Sequence, residues 1–354
     1  MTLSAKRRRR LRQLGGAMLL SLGTAVFSGA VSMVIDGQVK GGSLRWGYLA
    51  GFLIAGLLLS GGGAWLLATI RTGVGIALAA TDGAGFVERY QDEAEAFLRF
   101  GAGVFTAQTA LQVPVEKRSD LLQLRKSLLA GIRTLTHVEG EATTVGLLYQ
   151  GRPQVGFHVG RWLNQASRRV DLYADMRDGD AVSHLRAVRL GAALRTPPRT
   201  LELALYRREN DAFTGPVPII PAEAGGAVSD LSGTPMSLAV TLNSAVDDAG
   251  FTVPVLASAL GEGAMAVVFA ALPAPAGAPD SPTRELGPTT EEWESTVSAL
   301  VAVAKRLPAA PGLLYLKVPA AIPVALGRFL HDGGWTPMRF DPASRSYSRF
   351  EAPR

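Results

Sequence analysis

Two stretches of the chain are nearly the same: GLLYQGRPQVGFHVGRWL (Gly146–Leu163) and GLLYLKVPAAIPVALGRFL (Gly312–Leu330). Each opens Gly-Leu-Leu-Tyr, reaches a proline four residues after the tyrosine and closes Gly-Arg-aromatic-Leu. A short apolar run suits a buried strand. Proline suits the first position of a helix, where no N–H is needed and φ is already set. The repeat therefore predicts one strand-turn-helix module used twice, in a chain built from two α/β units in tandem.

The order of elements around the repeat recurs as well. In the first unit Val104–Gln108 reads as a strand, Ser119–Thr136 as an amphipathic helix and Tyr149 as the end of a strand. A helix from Pro153 to about Gln165 and the strand Val170–Tyr173 follow. In the second unit the counterparts are Leu238–Asn243, Thr290–Leu307, Leu313–Tyr315, Pro319–His331 and Thr336–Phe340, with an extra strand at Ala264–Leu272. The leading strands match in detail. Thr106, Gln108 and Thr109 stand against Thr241, Asn243 and Ser244, a threonine followed two places on by a carboxamide and then a hydroxyl. Leu201–Arg207, flanked by prolines, joins the halves, and the proline-dense PAPAGAPDSPTRELGP reads as a solvated connection. The halves are expected at about 101–200 and 236–354.

In a parallel α/β sheet, ligands sit beyond the carboxyl ends of the strands. That position is taken by Gln150, Gly151 and Arg152 in one module and by Leu316, Lys317 and Val318 in the other. Each lies beside the positive end of a helix, and with one cation apiece each makes a candidate anion site. Two such sites facing one another suit a ligand carrying several phosphates. Thr106, Gln108, Asn243, Ser244 and Tyr173 join the candidates as residues at or near strand ends. The alternative for either cation is an ordinary surface Arg or Lys on a solvated loop. Arg161 and Arg328, which follow the repeated glycines, read as contacts to neighbouring structure, and His158 as a packed or surface histidine. Asp175, Asp178 and Asp180 have the residue types for a cation site, but an acidic surface loop is the simpler reading. The chain has no cysteine, which excludes disulfides, thiolate metal sites and thiol catalysis together. No glycine fingerprint, P-loop, HExxH or GxSxG stands in its required context, and no nucleophile is paired with a base. A non-catalytic protein without a cofactor is expected.

Ahead of the α/β part lie two uncharged runs, Leu14–Ile35 and Tyr48–Ile70, each long enough to cross ~30 Å of hydrocarbon. The short turn between them implies a transmembrane hairpin. Lys6, Arg7, Arg8, Arg9, Arg10 and Arg12 precede it with no acid among the first 13 residues. They account for the whole net charge of +6, since the remaining 30 basic residues balance 30 acidic ones, so a broad nucleic-acid face is not expected. Positive flanks stay in the cytoplasm, which places both chain termini inside. A cleaved signal peptide ending near Ala30 is the alternative for the first run. Small residues recur every fourth position at Ala17, Ser21, Ala25 and Gly29, and at Gly56, Ser60, Ala64 and Ala68, a pattern that favours close helix packing in membranes. Gly61-Gly62-Gly63 suggests a bend. A linker helix carrying Phe86, Tyr90, Ala94, Phe97 and Leu98 is expected within residues 71–100.

The two repeated modules, together with the tail LLYLKVPAAIPVALGRFLHDGGWTPMRFDPASRSY, resemble the SAVED family. These are bacterial sensor domains built from two fused CARF-like, Rossmann-like halves. The resemblance covers about residues 100–350. It departs from the family in the second module, where the family often has a histidine before the strand and this chain has Leu-Leu-Tyr, and residues 175–235 match nothing specific. It implies a cytoplasmic domain that binds a cyclic di- or trinucleotide made by a partner nucleotidyltransferase. Gln150, Arg152, Asn243 and Lys317 would contact that ligand, and Tyr347 is the late tyrosine of the family pattern. With the membrane hairpin, the whole chain resembles an inner-membrane effector of cyclic-oligonucleotide antiphage signalling (CBASS), which oligomerises and compromises the bilayer. A membrane-bound nucleotide-using or cyclic-nucleotide-cleaving enzyme and a scaffold that binds only proteins are the competing classes.

Overall fold

The structure is a computed structural model. It describes residues 15, 17–32, 46–68, 73–80, 97, 105–115, 118–139, 144–166, 169–178, 181–191, 194, 196–219, 234–246, 248–274, 286–307 and 312–349. The basic segment 1–13, the turn between the apolar runs, most of the linker 81–100, Asp180 and the loop 275–285 lie outside the described residues, as do the side chains of Asp175 and Asp178. The chain divides into two compact units. One is made of Met1–Val74, Arg99–Gln108 and Leu135–Thr143, the other of Gly75–Leu98, Thr109–Thr134 and Thr144–Arg354.

The first unit holds a helix pair, α1 (residues 17–32) and α2 (Trp46–Ala68). Among the described residues no helix is long and apolar enough to cross a membrane. The uncharged runs of the sequence extend beyond the described part of α1. The pair touches where a side chain would not fit: a Cβ on Gly23 would meet the Ser60 backbone nitrogen at 2.5 Å, and one on Gly56 would meet Phe27 at 3.2 Å. The expected stripe in α2 is therefore at the contact through Gly56 and Ser60. In α1 it is Gly23, not Gly29, that lies there; Gly29 is exposed with nothing near it. Outside the contact, Met18, Leu22, Phe52, Ile54, Leu57 and Leu58 are exposed. The helix continues through Gly61-Gly62-Gly63.

The second unit contains most of the two α/β halves; the start of β1, the start of β2 and the end of the helix Arg118–Glu139 are counted with the first unit. In the first are β1 (Gly73–Ala80), β2 (Phe105–Gln112), β3 (Thr144–Gly151), β4 (Val170–Asp178) and β5 (Ala181–Leu190), in the sheet order β2-β1-β3-β4-β5. The second half has β6 (Glu202–Glu209), β7 (Ala212–Ile219), β8 (Met236–Thr241), β9 (Ala266–Ala271), β10 (Leu313–Lys317), β11 (Thr336–Asp341) and β12 (Ser346–Arg349). Its order is β12-β11-β10-β8-β9-β6-β7. Apart from the antiparallel β6–β7 hairpin on the β9 edge, the two sheets have the same order, the doubly wound 2-1-3-4-5. β3 pairs parallel with β4 and β10 with β11, and the last strand of each half returns antiparallel. β1, β8 and β9 are buried at every position, as strands covered on both faces must be, so they read as continuous apolar runs rather than alternating ones.

This order corrects the sequence-based pairing of leading strands. β2 lies outside β1, where β9 stands in the second half; the strand beside β3 is β1, from the start of the segment 71–100 read above as a linker. The second half also contains a helix that the sequence analysis did not predict, α5 (Ala249–Gly261), because that segment carries no charge and includes Pro254. It follows α3 (Arg118–Glu139) and α4 (Pro153–Ala166) in the chain and precedes α6 (Thr290–Arg306) and α7 (Ala321–Phe329). Pro153 begins α4 as expected, whereas Pro319 lies two residues ahead of α7.

The repeated helices α4 and α7 pack on one another, and each also touches the other half's sheet: α4 meets β10 and β11, and α7 meets β3, β4 and β5. They form the middle layer of a sheet–helix–sheet sandwich, which is why Ala321–Arg328 is buried all round. The contact is reciprocal. A Cβ on Gly160 would strike the carbonyl of Val324, and one on Gly327 would strike the carbonyl of Phe157. Arg161 donates to the Trp335 carbonyl at 3.2 Å, and Arg328, nearly buried, donates to that of Leu163. Burial pulls both guanidinium pKa values down, with Asp332 opposing this at Arg161, and backbone oxygens replace the lost water. The repeated Gly-Arg is thus a joint between the halves. Its contacts advance from Gly156 against Pro323 to Leu163 against Arg328, so the two helices run in the same direction.

Gly160→Val and Gly327→Val should each destabilise the α/β unit by at least about 1–3 kcal/mol, because the obstructing atoms are backbone and cannot rotate away. Gly29→Val should be near neutral. Thermal unfolding of the three variants checks this, and an unchanged melting temperature for the Gly160 and Gly327 variants would contradict the close contact.

Candidate functional site

Because α4 and α7 run side by side in the same direction, the strand ends that feed them lie at the same end of the helix pair. These ends are the carboxyl edges of β3 and β10. β3 is flanked by β1 and β10 by β8, the inner strand of each order, so each is the point where the strand order reverses. Arg152 and Lys317 stand at these two points.

The second point is built in detail. β10 and β8 are held in register past their ends by the Leu242 amide, which donates to the Lys317 carbonyl at 3.2 Å. The Lys317 ammonium donates to Asp248 Oδ2 at 2.7 Å and to Ser244 Oγ at 3.3 Å. Ser244 Oγ lies 2.7 Å from Thr241 Oγ1, which is fully buried at the end of β8. Asp248 is the N-cap of α5, and its Oδ1 accepts from the Gly250 amide at 3.0 Å. Its carboxyl is held below the usual carboxylate range, chiefly by the hydrogen bond from Lys317, with Ser244 and Gly250 adding to the effect and partial burial opposing it. Below the ammonium, 6.0 Å away, is the ring of Phe251. Asn243 is exposed on the same loop.

The first point is different. Gly151 lies so close to the end of β1 that a Cβ would meet the Ala80 carbonyl at 2.5 Å and the Tyr149 hydroxyl at 2.6 Å. The Arg152 carbonyl accepts from the amides of Val155 and Gly156 and from the Tyr149 hydroxyl, so it caps α4. Pro153 has no N–H, and these bonds use those of the next turn, so fewer backbone donors remain than the sequence suggested. Gln150 is buried, Arg152 is half-buried, and the buried Gln154 follows them.

The other candidates lie elsewhere. Gln108 is exposed on β2, away from the reversal point because β2 is the outer strand; the side chain of Thr106 lies outside the described residues. Tyr173 pairs with Leu148, short of the strand end, with its ring edge-on to Phe97 at 5.2 Å. Tyr347 packs against Tyr315 and Phe340 at 5.0 Å each and against Phe251 at 6.4 Å. Burial raises its hydroxyl pKa, and its ring packs on Phe251, the aromatic 6.0 Å from the Lys317 ammonium. Asp248 was missed by sequence reasoning. Its signal was available, an aspartate directly before an uncharged apolar run, which marks a helix start. Elsewhere a cleft of about 430 Å³ is lined in part by Arg199, Thr289 and Glu292; Thr289 and Glu292 cap α6, and Arg199 donates to Thr296. Among the described residues no group of His, Asp and Glu is placed to hold a metal ion. No protein-family model matches the chain, and no curated protein matches it.

The ion pair sets a pH dependence. A carboxyl with a depressed folded-state pKa contributes stability that is fully present above its ordinary value of about 3.9 and is lost as the pH falls through the folded value. Lys317→Met should therefore cost no more than about 1 kcal/mol at pH 7, both groups being partly solvated, and the difference should shrink to nothing in strong acid. Urea unfolding at the two pH values checks this; an equal difference at both would mean that the pair contributes nothing electrostatic.

Proposed function

We propose that the chain is a membrane-anchored receptor for a small polyanionic second messenger, a cyclic di- or trinucleotide of the kind that SAVED-like domains bind. The observation that carries this reading is the reciprocal α4–α7 contact, which brings two reversal points to the same end of the helix pair, each with a cation at its strand end. A ring of phosphodiesters presents several anions at once and suits a doubled site better than a single nucleotide does. Gln150, Gly151 and Arg152 on one side and Asn243, Ser244 and Lys317 on the other are the contacts proposed. The uncharged runs around α1 and α2 anchor the protein in the bacterial inner membrane with both termini in the cytoplasm. The glycine contact of the pair and its apolar exterior support that reading. Ligand binding changes how the sensor domains pack, and the helix pairs cluster and perturb the bilayer. For that to occur the ligand must bind the clustered state more tightly than the resting one.

The experiment is a thermal-shift screen of the full chain in detergent against 3′,3′- and 2′,3′-linked cyclic di- and trinucleotides. One of them should stabilise the wild type through mass action, and Arg152→Ala and Lys317→Ala should each remove that shift while melting within a few degrees of wild type. If no compound produces a shift, the receptor reading fails in favour of a protein-binding scaffold. Steady loss of the nucleotide at substoichiometric protein would favour an enzyme instead.

A further inference from the structure

The two reversal points differ in charge. At β10 the Lys317 ammonium is matched at 2.7 Å by the Asp248 carboxylate, so this side of the site carries a cation and an anion together. The carboxylate is fixed on both oxygens: Oδ1 accepts from the Gly250 amide and Oδ2 from Lys317. It lies at the start of α5, after β8, the inner strand of its half, where a doubly wound sheet receives a phosphate on free N–H groups. A negative charge is already resident where the ligand's phosphate must approach.

The geometry points to Asp248 as a charge filter that admits a singly charged phosphodiester and turns away a doubly charged phosphomonoester. The inference rests on the reading that this cleft receives a phosphate. Lys317 has three N–H bonds, and the structure gives it two partners, Asp248 and Ser244, so the ammonium has a donor to offer an incoming oxygen. The approaching group is attracted by Lys317 and by the helix end and repelled by Asp248. Attraction to Lys317 and repulsion from Asp248 both double when the incoming charge doubles, so at a matched pair they largely cancel. The cost of stripping water from the incoming ion grows roughly as the square of its charge. A matched pair therefore repays a monoanion better than a dianion, whereas a site built for a phosphomonoester carries cations without a facing acid. A closed ring of nucleotides contains only diesters; a linear or hydrolysed one ends in a monoester. The filter therefore distinguishes an intact ring from its opened product by charge, without reading a base.

The test uses simple esters and the full chain in detergent. Binding of dimethyl phosphate and of methyl phosphate, the latter close to doubly charged at pH 8, is measured by titration for the wild type, Asp248→Asn and Lys317→Ala. Asparagine caps helices as well as aspartate does and keeps the acceptor for Gly250, so the fold is retained. Wild type should prefer the diester. Asp248→Asn should gain about tenfold for the monoester and less for the diester, so the preference disappears or reverses. Lys317→Ala should remove binding of both. An unchanged preference in Asp248→Asn overturns the filter, and so does the absence of Lys317-dependent binding in every variant. A reversal with the simple esters, alongside no stabilisation by any cyclic nucleotide, would retain the filter and reject the second-messenger reading.

Discussion

The α/β unit depends on a contact between two helices that leaves no room for a side chain. Gly160 and Gly327 bring the backbones of α4 and α7 together, and the arginine that follows each glycine reaches a backbone carbonyl across the joint. Without it the two sheets would be separate α/β domains on a common chain. With it the helices are aligned in one direction, and the carboxyl edges of β3 and β10 lie at the same end. A strand-to-helix turn of one half thus lies at the same end as its counterpart in the other.

The joint also explains the composition of the repeated helices. A helix with a sheet on each side and a second helix alongside has no face left for water, so α7 is buried from Ala321 to Arg328 and carries small and apolar residues. Two charges lie in the joint, the buried Arg328 and the half-buried Arg161, and each donates to a carbonyl of the partner half. A charge in such a place is costly unless hydrogen bonds replace its hydration. The same logic separates Lys317 from these arginines: its partner is a carboxylate on a partly solvated loop, where a ligand can approach.

Much of the fold was legible because the repeat is a local signal. Gly-Leu-Leu-Tyr followed by a proline encodes a buried strand and a helix start within a few residues, and β3, β10, α4 and α7 lie where those residues put them. Less could be read where the signal is not local. Thr106 and Gln108 matched Thr241 and Asn243 as strings, yet β2 occupies the outer place and β1 the inner one. A strand's neighbour in a sheet is fixed by long-range pairing, and similar strings pair differently. α5 escaped notice because its outer face is as uncharged as its inner one, so it has no helical period to count. Asp248 went unread with it.

The sequence by itself determined that there are two copies of one strand-turn-helix module, that a cation follows each strand, and that two uncharged runs precede them. These follow from residue type and spacing within about twenty positions. Only the tertiary structure decided that the repeated glycines face one another, that the cations share an end, and that Lys317 is matched by Asp248 from a different element. The reason is physical: those relations join residues far apart in the chain. They arise from close packing and from the replacement of water around buried polar groups, neither of which leaves a mark on spacing along the chain.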